Sequence, residues 1–430
     1  MLRLDSRDPG FAEAFRALVD DRRESDDDVA RDVAAIIADV RARGDAALAD
    51  YTARFDRHTL GSDADWQVGA DQCRAAFDDL KPDLRAALEL AAQRIRSYHE
   101  GQLPADRDHT DEAGVRLGAR WSAVDAAGLY IPGGRASYPS SLLMNAIPAK
   151  VAGVGRLVVV TPTPDGVTNP LVLAAAHIAG VDEVWRIGGA QAIAALAHGT
   201  DRIRPVDVVT GPGNAWVAEA KRQLYGVVGI DMVAGPSEIL VIADGRNDPA
   251  WTAADLLSQA EHDPVAQSIL ITDDAGFADA VAAAVEAELA LLPTARVAGE
   301  SWAAHGVIVT VASLDEAPAL ANALAAEHVQ IACDHPQTLF DRIRHAGSVF
   351  LGRFTPEAVG DYVAGPNHVL PTGRRARFSS GLSVLDFMKR TSFIELDAAA
   401  LAAIGPAAVA LAEAEGLPAH ARSIEVRLNP

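Results

Sequence analysis

The chain has 430 residues, of which 49% are hydrophobic and 23% charged, enough apolar material for two or three folded domains. Its net charge is −21, so a nucleic-acid backbone or an anionic membrane surface would be repelled. The two cysteines, Cys73 and Cys333, form neither a disulfide framework nor a thiolate cluster. With no apolar run of membrane-helix length and no signal-peptide core, we expect a cytoplasmic protein.

Residues 1 to about 105 are rich in Ala, Asp, Arg and Leu at helical spacing, which predicts a mostly helical segment. The acidic run at 24–28 is typical of a solvated surface. From Arg120 onward, short β-branched runs alternate with Gly/Pro turns and Ala-rich helices, at the spacing of βαβ units. The runs that predict a first parallel sheet are 156–162, 183–189 and 206–214.

A second series of β-branched runs predicts a second α/β domain. Its members are 238–244, 268–274, 306–313, 328–334 and 348–352. The segments VAGPSEIL, from Val233, and VAGPNHVL, from Val363, indicate either a duplicated domain or chance. After Gly373 the chain is polar and loop-like, and it ends in two Ala-rich helical stretches that must pack on this core or on a partner's.

Three Gly-rich loops, at 130–135, 187–191 and 210–216, each follow a predicted strand or precede a helix. Ligands of open α/β sheets bind at that edge, where backbone N–H groups at helix starts accept phosphates. The sequence has neither a G-x-G-x-x-G motif after a strand nor a Walker A motif. The loops therefore predict either a dinucleotide crevice or ordinary tight turns.

The stretch 248–264 reads as a helix that begins after the N-cap Asp248 and stops before Pro264. A three-residue step places Gln259 and His262 on one face, which gives either a metal half-site or a solvated helix end. Further along, Asp361 and His420 could complete an oxygen and nitrogen ligand set that suits zinc. Because no short spacing links these four residues, periodicity cannot establish the site.

Glu327 and His328 lie between an Ala-rich helix and the run 328–334. A carboxylate beside an imidazole supplies two proton-transfer groups of different affinity. The alternative is a surface pair at a helix C-terminus, where the helix dipole would favour protonated His328 and oppose its use as a base.

Read together, these stretches resemble the histidinol dehydrogenase family over nearly the whole chain. The motifs that carry the resemblance are GLYIPGGRASYPSSLLMNAIPAKVAGV, IGGAQAIAALA, TGPGNAWVAEAK, DMVAGPSEILVIAD, DLLSQAEHDP, AAEHVQI, GDYVAGPNHVLPTGRRARFSSGLSV and AEGLPAHARS. The resemblance implies an α/β fold of two Rossmann-like αβα domains with terminal extensions, in an intertwined homodimer. The expected division is 1–23 as N-terminal extension, 24–106 plus 237–381 as the metal and acid/base domain, 107–236 as the NAD domain, and 382–430 as the extension that reaches the partner subunit.

Where the motifs match, the resemblance also implies residue roles. One zinc ion per subunit would be held by Gln259, His262, Asp361 and His420, with His420 and Glu415 contributed by the neighbouring subunit. The acid/base pair falls on Glu327 and His328. The expected substrate contacts are Ser237, Gln259, His262, His328, Asp361, His368, Glu415 and His420. The expected NAD contacts are Tyr130, Gln191 and Asn214.

The implied reaction oxidises L-histidinol to L-histidine with two NAD molecules, through an aldehyde that stays bound. We expect His328 to take the alcohol proton while a hydride leaves, and Glu327 then to activate water for the second oxidation. The metal either polarises the alcohol oxygen or grips the substrate's amino and imidazole nitrogens as a template, and the resemblance favours the template.

Three residues depart from the family pattern without replacing a named one: Trp216, Ala326 and Gln330. Three other functions remain as alternatives. A paralogue could oxidise a different small alcohol, although His368 and Glu415 match the histidinol pattern. A metal-dependent hydrolase would use the same ligands without nicotinamide. A catalytically silent binding protein would not need the intact acid/base pair.

Overall fold

The computed structural model describes residues 1–21, 27–133, 138–233 and 235–428. Within these residues the chain forms two six-stranded sheets, each covered by helices, and one three-stranded sheet. The acidic run at 24–28 and the loop at 130–135 lie partly outside the described residues, as do Ala234 of the first VAG segment and the predicted boundary at 23/24.

The strands of the two large sheets are mostly short and buried. Each of the eight predicted runs overlaps one of them. In chain order the strands are β1 (Leu2–Asp5), β2 (Gln67–Val68), β3 (Arg107–Thr110), β4 (Arg116–Ala123), β5 (Ala126–Tyr130), β6 (Arg156–Val160), β7 (Glu183–Trp185), β8 (Val208–Thr210), β9 (Gly229–Ile230), β10 (Glu238–Ala243), β11 (Gln267–Thr272), β12 (Val307–Thr310), β13 (His328–Ala332), β14 (Ser348–Leu351) and β15 (Met388–Glu395).

Helices connect the strands and occupy most of the first hundred residues, as predicted. They are α1 (Phe11–Asp20), α2 (Asp27–Arg43), α3 (Asp45–Asp56), α4 (Asp63–Trp66), α5 (Ala70–Asp78), α6 (Pro82–Glu100), α7 (Pro139–Ala152), α8 (Pro170–Ala179), α9 (Gly189–His198), α10 (Ala215–Leu224), α11 (Pro249–Ala260), α12 (Ala275–Leu289), α13 (Ala295–His305), α14 (Ala317–Leu324), α15 (Pro336–Phe340), α16 (Glu357–Tyr362), α17 (Ala398–Ala414) and α18 (Pro418–Leu428). Among the described residues, no helix combines the length and the apolar content that crossing a bilayer requires.

The first large sheet has the order β2-β7-β6-β5-β8-β9. All its pairs are parallel except β2 with β7. The chain runs outward from β5 through β6 and β7, then returns to the other side of β5 with β8. A ligand crevice opens at such a switch point, at the carboxyl ends of β5 and β8.

The second large sheet has the order β1-β12-β11-β10-β13-β14 and is parallel throughout. Its order from β10 to β14 repeats that of β5 to β9 in the first sheet. The similar segments do not occupy equivalent places, because Glu238–Leu240 lie in β10 while 368–370 lie outside any helix or strand. The prediction of a mixed α/β chain with parallel sheets is confirmed, whereas the homodimer and the count of Rossmann-like domains stay predictions.

The helices of residues 27–100 cover the first large sheet. Val33, Ile36 and Val40 of α2 share an apolar core with Trp185 and other residues of that sheet. On the opposite face, α5 and α6 join a second core with residues of β5, β6 and α7. The predicted division grouped 24–106 with 237–381 instead. Domain boundaries stay a prediction, but these apolar contacts group the helices with the first sheet.

The segment after Gly373, predicted to be loop-like, contains the eight-residue strand β15. It pairs antiparallel with β4, from Met388 opposite Ala123 to Glu395 opposite Arg116. The loop prediction was wrong for this segment because most β15 side chains are exposed, so the strand has no apolar alternation. β15 leads into α17 and α18, which pack on each other as the terminal hairpin.

Candidate active site

Helix α11 brings Gln259 and His262 together. Asp248 caps the helix, because its Oδ1 accepts a hydrogen bond from the Ala250 N–H at 2.9 Å. Gln259 is fully buried, and its Nε2 lies 3.1 Å from Nδ1 of His262, just after the helix end. The predicted helix is therefore confirmed. A solvated helix end describes the exposed His262 but not the buried Gln259.

Glu327 and His328 lie at the amino edge of the second large sheet. Helix α14 ends at Leu324, and His328 is the first residue of β13. Both side chains are buried, with 6% and 4% of each residue exposed. The alternative of a surface pair at a helix C-terminus is thus wrong, and so is the expected effect of the helix dipole on His328.

The backbone of Glu238 holds both groups. Its N–H donates to Glu327 Oε2 at 2.9 Å, and its carbonyl lies 3.2 Å from His328 Nδ1. An Nδ1–H that donates to this carbonyl leaves Nε2 of His328 as a proton acceptor. Ser237, a predicted substrate contact, precedes Glu238 and is half-buried at the same edge.

Burial sets the charges of the acid/base pair. It lowers the pKa of His328 to about 4, so the imidazole is neutral at pH 7. It raises the pKa of Glu327 well above the usual carboxyl value, although the hydrogen bond from Glu238 opposes this. The negative charges of Asp361 and Glu357 add to the rise. A carboxyl group of raised pKa is a stronger base once it ionises, which suits activation of water.

Helix α16 presents Glu357 and Asp361, one turn apart, to the His328 ring. Glu357 Oε1 is 3.4 Å from His328 Nε2, and one donor atom of each of these three residues lies within 4.8 Å of the other two. Burial and the charge of Asp361 raise the pKa of Glu357 to about 8. Burial would raise the pKa of Asp361 too, but the hydrogen bond and charge of His368 bring it below its usual value. Of these two carboxyl groups, Glu357 therefore holds a proton more tightly than Asp361.

Glu357 was missed at the sequence level. The signal that could have found it is its four-residue spacing from Asp361, which places both carboxylates on one helix face. Nothing in the surrounding letters distinguishes it from the many other acidic residues of this chain.

The side chains of α11 and α16 include donor atoms that suit a metal ion. The fully buried Gln259 Oε1 and the buried Glu357 Oε1 have no hydrogen-bond partner within the described residues. α11 and α16 are in contact, since Ser258 Oγ lies 3.3 Å from Glu357 Oε2. The charge of His262 also lowers the pKa of Asp361. This effect is smaller than those of burial and of His368. Amide, carboxylate and imidazole donors of this kind fit zinc.

His368 connects this cluster to the first large sheet. Its Nδ1 lies 3.4 Å from Asp361 Oδ1, and its Nε2 lies 3.1 Å from Ser141 Oγ. Ser141 belongs to α7, which follows β5. The carboxyl edge of the first sheet therefore adjoins the amino edge of the second.

The structure does not bring Glu415 and His420 to this cluster. Both are exposed on the terminal hairpin, and neither side chain forms a hydrogen bond or ion pair with the cluster in the described part of the chain. Their contribution across a subunit interface stays a prediction.

The three predicted NAD contacts lie at the carboxyl edge of the first sheet. Tyr130 ends β5 and is buried, and its hydroxyl accepts a hydrogen bond from the Gly189 N–H at 3.1 Å. Gln191 is only 2% exposed, and its Oε1 has no partner among the described residues. Asn214 caps α10 by accepting from the Val217 N–H at 3.1 Å. Gly211 is required here, because a Cβ would lie 2.2 Å from the Tyr130 carbonyl oxygen.

A cavity of about 280 Å³ opens beside this edge, between the loops that follow β5 and β6. Gly133, Pro162 and Thr163 contribute to its lining. The Thr163 hydroxyl is buried and has no hydrogen-bond partner in the described chain. An unused polar atom beside a cavity is available to a ligand.

Comparison with known proteins identifies the family. The model of the family described as histidinol dehydrogenase matches residues 19–428. The chain belongs to the histidinol dehydrogenase family. It is 64% identical to the histidinol dehydrogenase of Zymomonas mobilis, with full coverage of both chains, and 62% identical to that of Ruegeria pomeroyi, with 99% and 98% coverage. The crystal structure of histidinol dehydrogenase from Elizabethkingia anophelis superposes with a TM-score of 0.94 at 35% identity, and the match covers 100% of this chain and 98% of the other.

As a member of the histidinol dehydrogenase family, the chain is an oxidoreductase. The three departures from the family pattern lie beside the predicted site residues in the chain and replace none of them. Trp216 is 42% exposed in the first turn of α10, and Ala326 is buried before Glu327. Gln330 donates from Nε2 to Asp255 Oδ2 at 2.7 Å.

Proposed function

We propose that this chain catalyses the last step of histidine biosynthesis, the four-electron oxidation of L-histidinol to L-histidine through an aldehyde. The observation that carries the proposal is the buried Glu327–His328 pair, with a neutral imidazole and a carboxyl group of raised pKa held by one backbone residue. It lies where the amino edge of one sheet adjoins the carboxyl edge of the other. The names of the family and of the relatives agree with this reaction.

Zinc and NAD belong to the proposal. A zinc ion would be held by Gln259, His262 and Asp361, with His420 of a second subunit, and when bound it would fix the amino and imidazole nitrogens of the substrate. NAD, when bound near Tyr130, Gln191 and Asn214, accepts the electron pair released in each oxidation. The unpartnered amide oxygens of Gln259 and Gln191 support these assignments.

The first proton transfer falls to His328. Its Nε2 takes the proton of the alcohol as a hydride leaves the alcohol carbon, and the negative charge of Asp361 stabilises the imidazolium that forms. In the second oxidation Glu327, once ionised, removes a proton from water as the water attacks the aldehyde carbon, and the hydrated carbon then gives up the second hydride to NAD. Ser237, His368 and, from the second subunit, Glu415 orient the substrate.

The test is the stoichiometry of NADH. Purified protein should form two NADH for each histidine, lose this activity on chelation and regain it with zinc. One NADH with free aldehyde as the end product contradicts the role of Glu327. Hydrolytic turnover without NADH formation favours the metal-dependent hydrolase instead.

Two variants separate the roles of the pair. His328→Asn should slow both oxidations by roughly 10²- to 10⁴-fold, whereas Glu327→Gln should slow mainly the oxidation of added aldehyde. Asp244→Asn, at the other end of β10, is the matched control and should leave both rates unchanged. Equal effects of the two active-site variants on both steps would remove the distinction.

A further inference from the structure

The acid/base pair depends on the position of one peptide residue. Glu238 begins β10, and Ile239 is in register with His328 of the neighbouring strand. The Glu238 N–H fixes the Glu327 carboxyl group at 2.9 Å, and its carbonyl, 3.2 Å from His328 Nδ1, selects the imidazole tautomer. A shift of this backbone would therefore disturb both groups at once.

The side chain of Glu238 is anchored by a buried arginine. Arg374 Nη1 donates to Glu238 Oε1 at 2.9 Å, and the two side chains are 1% and 2% exposed. The guanidinium also donates to Gln267 Oε1 at 3.1 Å and to the Leu18 carbonyl at 3.2 Å. Arg374 thus joins the start of β10, the start of β11 and the end of α1.

The conformation of Arg374 indicates that its position matters. Its φ is 67°, in the left-handed region that non-glycine residues rarely adopt, and the surrounding hydrogen bonds hold it there. A buried ion pair generally stabilises a fold no better than an apolar pair of the same volume. The Glu238–Arg374 ion pair lies next to the acid/base pair. Its presence there is explained if it fixes the position of the residue-238 backbone rather than adding stability.

We propose that Glu238 and Arg374 are positioning residues, which hold the residue-238 backbone so that Glu327 and His328 keep their working geometry. The inference rests on the proposed function. It predicts that loss of the ion pair slows both oxidations together, unlike Glu327→Gln, because one residue holds both groups.

The experiment compares Glu238→Ala, Glu238→Gln and Arg374→Lys with wild type. The control is Asp244→Asn, at the opposite end of β10, where Asp244 accepts two hydrogen bonds from Arg353 at 2.7 and 2.8 Å. For each protein, kcat and KM are measured separately for the alcohol and the aldehyde, alongside zinc content and the thermal midpoint. The rates are expressed per zinc-loaded, folded enzyme.

We expect Glu238→Ala to lower kcat for both substrates by roughly 10- to 100-fold, with KM within about twofold of wild type. Glu238→Gln and Arg374→Lys, which keep part of the hydrogen bonding, should retain more activity. Asp244→Asn should lower the thermal midpoint without changing kcat.

The positioning role would be overturned if Glu238→Ala kept wild-type kcat. It would also be overturned if Glu238→Ala and Asp244→Asn lowered kcat equally. If Glu238→Ala does not fold, wild-type kcat in both Glu238→Gln and Arg374→Lys would overturn it as well. A wild-type protein that forms no NADH from histidinol would instead reject the proposed function, and the positioning role with it.

Discussion

At the scale of single residues, the protonation of Glu357 links metal binding to pH. Its pKa of about 8 means that the metal-free protein carries a proton there at pH 7, beside the ionised Asp361. A divalent cation bound at Asp361 would expel that proton, because the positive charge of the cation favours the ionised form of a carboxyl group beside it.

Zinc uptake at pH 7 should therefore release about one proton for each site. The release is measured by calorimetric titration of the metal-free protein in buffers of different ionisation enthalpy. Glu357→Gln should abolish most of it, whereas Glu286→Gln, an exposed change on α12, should not. Unchanged release in Glu357→Gln would show that the proton comes from elsewhere.

Asp255, on α11, makes stability depend on pH through its own burial. Burial raises its pKa from 3.8 to about 6, although the hydrogen bond from Gln330 opposes this. Between these values the folded chain keeps a proton that the unfolded chain has lost, so the free energy of unfolding falls as pH rises through this window. The effect is on the order of 2 kcal/mol.

Asp255→Asn should reduce the dependence of the free energy of unfolding on pH, since the amide cannot titrate and still offers an oxygen to Gln330. Urea unfolding of the metal-free protein from pH 4 to 7 measures it. With Glu286→Gln as control, an identical slope in wild type and Asp255→Asn would refute the assignment.

Which residues of the site could be predicted depends on what fixes them. Helical periodicity put Gln259 and His262 on one face, and adjacency marked Glu327 and His328 as a possible proton-transfer pair. The roles of these residues and of Asp361 came from the family resemblance. Glu238 acts through its backbone N–H and carbonyl, which every residue type except proline has, so its identity gives no sign of this role. Arg374 contacts Leu18, more than 350 positions away in the chain, so no local pattern could predict that contact.

At the scale of elements, the cap of α11 positions Gln259 from the far end of the helix. Asp248→Ala should lower the free energy of unfolding by about 1 kcal/mol, because the Ala250 N–H loses its acceptor. Chemical denaturation measures the change. Asp248→Ser, which can still cap, should retain most of the stability, and equal losses in the two variants would argue against capping.

Strands were predictable where burial makes them apolar. β10 and β11 are buried along their whole length and stand out as β-branched runs. β15 and β3 are almost fully exposed, so backbone pairing with β4 and the ion pairs of Arg116 with Asp108 and Glu395 hold them without an apolar pattern. β1 is likewise exposed or half-buried, and its partner β12 lies some 300 residues away, as the register of Leu2 with Val307 shows.

At the scale of the whole molecule, the terminal hairpin exposes several apolar side chains to solvent. Ile404, Leu411 and Leu417 are 41%, 65% and 42% exposed in a hairpin that also carries Glu415 and His420. The intertwined homodimer, in which each site needs the tail of the other subunit, stays a prediction, and in it these side chains would lie against the partner. Sequence alone shows that the tail is too short to fold by itself, but not which surface receives it.

Mixing two inactive variants tests this arrangement. A chain with His420→Asn should inactivate the site of its partner, and a chain with Gln259→Leu should inactivate its own site. Re-associated mixtures should therefore regain roughly a quarter of wild-type activity. Half of the dimers would be mixed, and one of their two sites would be intact. No recovery, with mixed dimers shown by mass spectrometry of labelled chains, would mean that each tail serves its own site.

The pairing of β1 with β12 has a consequence for synthesis. At translation rates of about 5–20 residues per second, β1 leaves the ribosome roughly 15–60 s before the segment it pairs with. During that interval β1 has no partner strand, and α1, whose end carbonyl meets Arg374, waits longer still. The nascent chain must therefore keep its first twenty residues out of wrong pairings until most of the molecule has been made.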